Sequence, residues 1–345
     1  MQKLITEIHL FNLRANALAF RKATGSALCA VVKADAYGHG AIEVVNALYS
    51  VADFFAVAIV EEGLSILPAA GGKGILVFTP PICEAEAVVA LRSGLWLSVT
   101  DLPTAKLIAA VCERYALSAC VHLKVNTGMN RYGVSVEELD GLCRFLAGQR
   151  RVSVKGIFSH LYTTDEKISR VQREEFLRGI DIAKRYFSPL TAHLSATYGA
   201  TLGREFAFDA TRIGLGLYGY TPVPCPTLSL RPVMRAYATC TGNRLYQSGG
   251  IGYGLPANLS AKEGQNIALL RAGYADGTGL LGAHYEGLPL YNRFCMDVGF
   301  TSERVEKGEK VALFSSAEEL ALAQGTIVYE TLCRLGMRAQ RLYVQ

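Results

Sequence analysis

The sequence predicts an α/β protein with an N-terminal (β/α)8 barrel, a TIM barrel, followed by a smaller, mostly-β domain. Eight short β-rich runs alternate with helix-like stretches over the first two-thirds of the 345 residues. Most of these runs are apolar at successive positions, as in parallel strands that are covered on both faces. Beyond residue 226 the pattern changes to strand-like runs separated by glycine-rich turns, which favours a separate β-domain.

The eight predicted barrel strands are Ala27–Lys33, Phe54–Ile59, Gly74–Thr79, Gly94–Val99, Ala119–Asn126, Val152–His160, Leu190–Ser195 and Thr211–Tyr218. The stretches between them, such as Leu102–Tyr115 and Glu166–Tyr186, are amphipathic and long enough for crossover helices. Eight strand–helix units in roughly 220 residues fit a TIM barrel. A doubly wound sheet is the alternative, but no G-x-G-x-x-G follows the first predicted strand.

A proline cluster marks the predicted domain boundary. Pro222, Pro224 and Pro226 fall within five residues and interrupt any regular element. We therefore expect a barrel over residues 1–226 and a β-domain over residues 227–345. The strands predicted in the β-domain are Met234–Cys240, Asn266–Ala272, Leu288–Asp297 and Lys310–Phe314.

Composition and charge limit the partners and the compartment. Half of the residues are hydrophobic, 19% are charged and the net charge is +5. No polybasic tail occurs, so neither nucleic acid nor a membrane is expected as a partner. The nine cysteines form no C-x-x-C pair, which favours reduced thiols and no metal site. Charges at Lys3 and Glu7 stand where a signal peptide needs an apolar run, so we expect a cytoplasmic protein.

Several cationic and imidazole side chains fall at the carboxyl ends of the predicted strands, where TIM barrels carry their chemistry. Lys33 ends the first strand, Arg131 follows the fifth, His160 ends the sixth and Arg212 lies in the eighth. Each alone has a structural explanation, such as a solvated lysine, a core histidine or an ion pair. Together they predict an anionic ligand, because buried cations need a counter-charge. Lys33 is the amine placed to form an imine with a carbonyl.

Seven ordered motifs resemble those of bacterial alanine racemases, and they occur in both predicted domains. The motifs are Ala30–Gly40, His122–Gly133, Gly156–His160, Arg212–Gly219, Gly252–Gly254, Ala272–Gly277 and Cys295–Asp297. The family's fold, a barrel followed by a β-domain, agrees with the pattern above. The resemblance implies that the cofactor is pyridoxal 5'-phosphate (PLP), which Lys33 holds covalently.

The resemblance also implies two catalytic bases and a homodimer with shared active sites. Lys33 is one base, and the other is Tyr253, which in this family the β-domain of the partner subunit supplies. Two bases are required because inverting a stereocentre removes a proton from one face and delivers one to the other.

Further site residues follow from the same resemblance. Arg212 faces the pyridine nitrogen and can only donate to it, while His160 connects Arg212 to the bases. The implied PLP-binding residues are Lys33, Tyr37, Arg131, His160, Thr197, Arg212, Gly214, Leu215 and Tyr329. Arg131, Tyr274 and Met296 are the implied substrate-binding residues. Lys124 matches a lysine that some members carry as a carbamate beside Arg131.

The implied function is interconversion of L-alanine and D-alanine, which supplies D-alanine for cell-wall peptidoglycan. Alternatives are a racemase of serine or another small amino acid, and a non-catalytic PLP-binding barrel protein. Two departures from the family pattern, Asn126 and Ala196, bear on cofactor affinity more than on the chemistry.

Overall fold

The structure, a computed structural model, describes residues 4–252, 261–278, 295–314 and 316–345. The chain folds into two compact units. The barrel unit comprises Leu13–Ala34 and Ala41–Arg231, and the second unit comprises Met1–Asn12, Asp35–Gly40 and Pro232–Gln345. The second unit therefore includes two short segments, Met1–Asn12 and Asp35–Gly40, that precede its main segment, Pro232–Gln345. The domain boundary at residue 226 stays a prediction.

The described strands are β1 (Ile5–His9), β2 (Ala27–Val31), β3 (Phe54–Val57), β4 (Ile75–Val77), β5 (Trp96–Val99), β6 (Ala119–Lys124), β7 (Val152–Phe158), β8 (Thr191–His193), β9 (Ala210–Ile213), β10 (Met234–Leu245), β11 (Asn266–Leu270), β12 (Gly299–Thr301), β13 (Lys310–Ala312) and β14 (Gln340–Val344). The described helices are α1 (Leu10–Thr24), α2 (Lys33–Tyr37), α3 (Ala41–Leu48), α4 (Val60–Ala70), α5 (Glu84–Arg92), α6 (Leu102–Arg114), α7 (Val136–Ala147), α8 (Glu166–Lys184), α9 (Ala317–Ala323) and α10 (Val328–Gly336). Short 3-10 turns lie at Gly199–Thr201, Arg204–Phe206, Leu215–Tyr218 and Tyr274–Asp276.

Eight parallel strands form the barrel in the order β8-β7-β6-β5-β4-β3-β2-β9. Hydrogen bonds close it between β8 and β9: the Asp209 N–H donates to the Ala192 carbonyl (3.0 Å) and the Arg212 N–H to the Ser195 carbonyl (2.9 Å). The predicted barrel is therefore confirmed, with a strand in seven of the eight predicted runs and one overlapping the eighth. That last strand, β9, spans only Ala210–Ile213, and the predicted strand residues Leu215–Tyr218 form a 3-10 turn instead. All four residues of β3 are buried, as expected of a strand covered on both faces.

Local sequence signals set where the crossover helices begin. The Asp101 carboxylate accepts the Thr104 N–H at 2.7 Å, and the Asp165 carboxylate accepts the Ile168 N–H at 3.1 Å. Ser135 and Glu138 form a reciprocal capping box at the start of α7. These side chains satisfy backbone donors that have no partner inside the helix. They fix the starts of α6, α7 and α8, and the loops before α7 and α8 carry two predicted site residues, Arg131 and His160.

The second unit is built on a sheet with the order β12-β11-β10-β1-β14, and β13 also pairs with β10. The N-terminal strand β1 lies between β10 (antiparallel) and β14 (parallel). The strands predicted from Met234, Asn266 and Lys310 are present as β10, β11 and β13, whereas the one predicted at Leu288–Asp297 lies largely outside the described residues. The unit also contains two helices, α9 and α10, although the sequence pattern predicted only strands in this region.

No helix of the described residues is both long and apolar enough to cross a bilayer.

Candidate active site

Lys33 lies two residues beyond the carboxyl end of β2, at the first position of α2, and is half-buried. The backbone on both sides of it is fixed: the Val32 N–H donates to the Ala56 carbonyl at 2.9 Å, and the Ala34 N–H donates to the Glu62 carboxylate at 2.7 Å. Glu62 also accepts the Ala58 N–H at 2.7 Å, at the start of α4. One carboxylate therefore ties the residue after Lys33 to the neighbouring strand end.

The turn after Lys33 is left-handed. Ala34, Asp35, Ala36 and Tyr37 all have φ between 52° and 55°. Left-handed backbone costs an L-residue about 1–2 kcal/mol, so such a run persists only where contacts fix it. Within the second unit, Arg341 provides them: it pairs with Asp35 at 2.6 Å, and its Nε donates to the Gly38 carbonyl at 2.9 Å. A Cβ on Gly38 would lie 2.5 Å from the Leu332 carbonyl, so only glycine fits there.

Arg212 is a buried cation whose described partners include no carboxylate. Its Nη1 donates to the carbonyl and to Nδ1 of His193 (2.5 and 2.8 Å). Its Nη2 donates to the carbonyls of Ser159 (2.5 Å) and Leu194 (2.8 Å), and lies 3.4 Å from Nδ1 of His160. Among the described residues all its side-chain hydrogen bonds come from Nη1 and Nη2, which leaves Nε as the donor for a ligand.

Basic side chains act on one another at the site and lower each other's pKa values. Burial lowers the pKa of Arg212 to about 10, with Arg131 adding to the effect. Burial, and then the charges of Arg212, Lys124, Arg131 and Lys33, hold the pKa of His160 well below its usual range. His160 is therefore neutral at pH 7. An anion bound here would relieve the repulsion among these cations.

Lys124 and Arg131 belong to β6 and the loop that follows it. Lys124 is buried, its Nζ donates to the Val125 carbonyl at 3.0 Å, and it lies 5.2 Å from the centre of the Phe158 ring. Burial, then Arg212 and Arg131, hold the pKa of Lys124 well below its usual range. Its amine therefore gives up a proton more readily than that of an exposed lysine. The carbamate implied at this residue stays a prediction.

Asn126 organises the loop that presents Arg131, which is exposed. Its side-chain oxygen accepts the N–H groups of Gly128 (3.1 Å) and Asn130 (3.0 Å), and its amide nitrogen donates to the Asn130 side chain (2.9 Å). An aspartate would keep the two acceptor contacts and lose the donor. The departure from the family pattern at this position therefore has a structural use.

The predicted phosphate-binding residues of the barrel lie after two neighbouring strands, Thr197 after β8 and Gly214 and Leu215 after β9. The Thr197 hydroxyl oxygen accepts the Gly216 N–H at 3.0 Å, so its own hydrogen can be donated to a ligand. Gly214 and Leu215 begin the 3-10 turn there, where backbone N–H groups are available to an anion. Gly216 serves packing instead, because a Cβ on it would lie 2.3 Å from the Phe20 ring.

The remaining predicted residues belong to the second unit. The rings of Tyr37 and Tyr329 lie 6.1 Å apart. Tyr274 and Met296 lie on adjoining turns: the Tyr274 N–H donates to the Cys295 carbonyl (3.1 Å), and the next N–H, that of Ala275, donates to the Met296 carbonyl (3.0 Å). Tyr253 lies outside the described residues.

Sequence reasoning gave no role to three buried polar residues that support the site. Nε2 of His193 and Nδ1 of His122 lie 2.8 Å apart, which links His122 to Arg212 through His193. The Gln172 side chain donates to the Thr127 hydroxyl and to the His160 carbonyl, both at 3.1 Å. One signal could have found His122: it stands two residues before Lys124, on the same face of one strand.

A barrel followed by a β-rich unit, with cations and imidazoles at the carboxyl ends of its strands, defines a two-domain α/β-barrel enzyme. The family profile "Alanine racemase, N-terminal domain" matches residues 8–222, and "Alanine racemase, C-terminal domain" matches residues 233–343. The chain belongs to the alanine racemase family. It is accordingly an amino-acid racemase, an isomerase.

Relatives cover almost the whole chain. It is 34% identical to the alanine racemase of Desulforamulus reducens, over 98% of both chains. It is 31% identical to that of Desulfovibrio desulfuricans, over 93% of this chain and 92% of the relative. Among solved structures, alanine racemase of Clostridium difficile 630 matches with a TM-score of 0.90 and 26% identity, over 100% of this chain and 96% of that one.

The residues of the barrel fit the cofactor that this family implies. Lys33 offers a half-buried amine, and Arg212 keeps Nε available within a cationic surrounding. Thr197 and the start of the 3-10 turn offer neutral donors to a phosphate group. The Lys33 amine suits the aldehyde of PLP, Nε of Arg212 suits its ring nitrogen, and the neutral donors suit its phosphate.

Proposed function

We propose that this protein interconverts L-alanine and D-alanine with PLP as cofactor. The observation that carries the proposal is the grouping of three side chains at the barrel's strand ends: the Lys33 amine, neutral His160, and Arg212, which has no carboxylate among its described partners. Membership of the alanine racemase family supports the substrate. The D-alanine formed would be used for peptidoglycan. We also propose that the enzyme acts in the cytoplasm.

The cofactor, when bound, supplies an electron sink for the charge that develops at the substrate Cα. Lys33 would hold it and, once released, move a proton on one face of Cα. Tyr253 of the partner subunit would move a proton on the opposite face, as inversion requires. A tyrosine with the reference pKa of ~10 is almost wholly protonated at pH 7, so neighbouring cations must stabilise the phenolate for Tyr253 to act as a base.

Arg212 would direct Nε at the ring nitrogen and leave that nitrogen without a proton, because a guanidinium only donates. Its other donors are held by backbone carbonyls and His193, so the side chain is fixed before a ligand arrives. By leaving the ring nitrogen unprotonated, Arg212 would limit how far charge spreads away from Cα and so disfavour side reactions such as transamination. His160 would connect Arg212 to the bases.

The residues that would bind the phosphate group of PLP are Tyr37, Thr197, Gly214, Leu215 and Tyr329. The substrate carboxylate would be bound by Arg131, by Tyr274 and by the backbone of Met296. The Met296 N–H supports this role, because it donates to none of the residues that the structure describes.

The test is racemisation of alanine by the purified protein supplied with PLP. Wild-type protein should bring L-alanine and D-alanine to the same 1:1 mixture, since enantiomers have equal free energies. Lys33→Ala should remove both this activity and the borohydride-sensitive visible absorbance of the bound cofactor. Lys33→Arg is the matched control, because it keeps the charge but cannot form the covalent bond. Activity in either variant would refute the role of Lys33.

The shared site has its own experiment. If one subunit supplies Lys33 and its partner supplies Tyr253, mixing inactive Lys33→Ala and Tyr253→Phe subunits rebuilds one complete site per heterodimer. We expect partial recovery of activity that grows as subunits exchange. Verified exchange without recovery would contradict a shared site and leave the racemase activity itself unaffected.

A further inference from the structure

His193 and His122 form a hydrogen-bonded chain that begins at Arg212, and the mechanism above uses neither. All three side chains are buried, at 3% exposure or less. The Arg212 guanidinium is always a donor, so Nδ1 of His193 must accept from it. A neutral imidazole has one N–H, so the proton of His193 lies on Nε2, which donates to Nδ1 of His122. The proton of His122 then lies on its Nε2.

The barrel is shaped to hold this second imidazole. The register of β6 with β7 shifts between Val121 and His122, where an extra residue, Lys155, precedes Gly156. A Cβ on Gly156 would lie 2.4 Å from Nδ1 of His122, so any other residue here would have to displace the His122 ring. The His122 ring also stacks on Trp96, with centroids 5.3 Å apart and planes 20° apart.

Burying the His122 ring at this position lowers the stability of the folded protein. Its Nε2 is buried and has no partner among the described residues, and an orphaned N–H costs about 1–3 kcal/mol. Burial, then the charge of Arg212, lowers the pKa of His122 to about 3, so the ring is neutral at pH 7. An apolar side chain would avoid the orphaned N–H. The imidazole's one hydrogen bond in the described structure is its acceptance from His193.

We propose that His122 is a positioning residue for Arg212: by accepting from His193, it fixes the His193 tautomer that accepts from the guanidinium. Aligned imidazole dipoles then place their negative ends toward a buried cation that has no carboxylate partner among the described residues. The inference deepens the proposed function, since the Nε of Arg212 is the donor assigned there to the cofactor ring. Neither histidine touches substrate in this account.

The first test is the tautomeric state of the wild-type protein, which requires no activity. In protein labelled with 15N at its six histidines, the nitrogen shifts of His122 and His193 should both show the proton on Nε2 at pH 7. Spectra of His122→Asn and His193→Asn assign the two rings. A proton on Nδ1 of either ring would overturn the proposal, whether or not the protein racemises alanine.

The second test compares two substitutions of similar size. His122→Asn keeps an acceptor near the position of Nδ1, and His122→Leu removes it. We expect His122→Leu to lower kcat about tenfold with little change in KM. Removing a residue that positions a group at an active site typically lowers activity by about 10- to 100-fold, and we expect the lower value. His122→Asn should remain within about twofold of wild type if the acceptor is what matters. Equal rates in the two variants would overturn the proposal. Inactive wild-type protein would instead refute the proposed function, and the tautomers would still decide the inference.

Discussion

Arg212 shows how single residues set the chemistry of this site. A buried guanidinium normally pairs with a carboxylate. Here its described acceptors are three backbone carbonyls and the Nδ1 atoms of His193 and His160. The cation is therefore held in place by neutral groups, and its charge stays available to an anionic ligand.

Because these contacts depend on the planar guanidinium, we expect Arg212→Lys to destabilise the protein by about 3 kcal/mol, as for other broken buried charge networks. Urea unfolding measures this change. Arg178→Lys is the matched control, because the Arg178 side chain is 61% exposed in its ion pairs and the swap should change stability by no more than about 0.5 kcal/mol. Equal stabilities of the two variants would contradict the network.

At the scale of elements, strand ends and their irregularities place the functional side chains. The shift in the β6–β7 register makes room for His122, and the left-handed α2 carries the chain from Lys33 into the second unit. Caps at Asp101, Ser135 and Asp165 then fix where the following helices begin. The site is therefore built by departures from ideal strands as much as by the strands themselves.

Gly156→Ala tests the β6–β7 irregularity. Its Cβ would lie 2.4 Å from His122 and 2.9 Å from the Thr191 carbonyl, so we expect destabilisation of about 1–3 kcal/mol. Gly141→Ala, at an open and exposed position of α7, should instead stabilise by up to about 1 kcal/mol. Chemical unfolding of both variants gives the comparison. A neutral Gly156→Ala would mean that His122 is not tightly confined.

At the scale of the molecule, the sequence predicted the barrel well because its strands are buried on both faces and read as apolar runs. It did not place β1 in the second unit, because β1 pairs with β10 and β14 more than 200 residues later. Nor did it predict the left-handed turn after Lys33, since alanine and tyrosine rarely adopt positive φ and one aspartate among them is too weak a signal. The candidate site residues were predicted from motifs, whereas the positions of His122 and His193 depend on contacts between strands.

Buried neutral histidines also make stability depend on pH. Burial lowers the pKa of His122 to about 3 and that of His39 to about 4. Below the unfolded value near ~6.5, the unfolded chain binds protons that the folded chain does not, so acid favours unfolding. Each such histidine should cost about 1.4 kcal/mol per pH unit between its two pKa values.

The check is urea unfolding at pH 7, 6 and 5 for wild type and His122→Asn. We expect the variant to lose less stability than wild type between pH 6 and 5, by about one histidine's contribution of ~1.4 kcal/mol. Parallel pH profiles would show that His122 takes up a proton in the folded protein as readily as in the unfolded chain.

The most direct measurement follows the hydrogen at Cα during turnover in D2O. Two bases on opposite faces remove protium from L-alanine and deliver a solvent-derived deuteron to the product. At early times, chiral chromatography with mass spectrometry should find deuterium in D-alanine and protium in the unreacted L-alanine, with the mirror result from D-alanine. D-Alanine that keeps the substrate's protium would contradict the two-base account, and no D-alanine at all would contradict the proposed function.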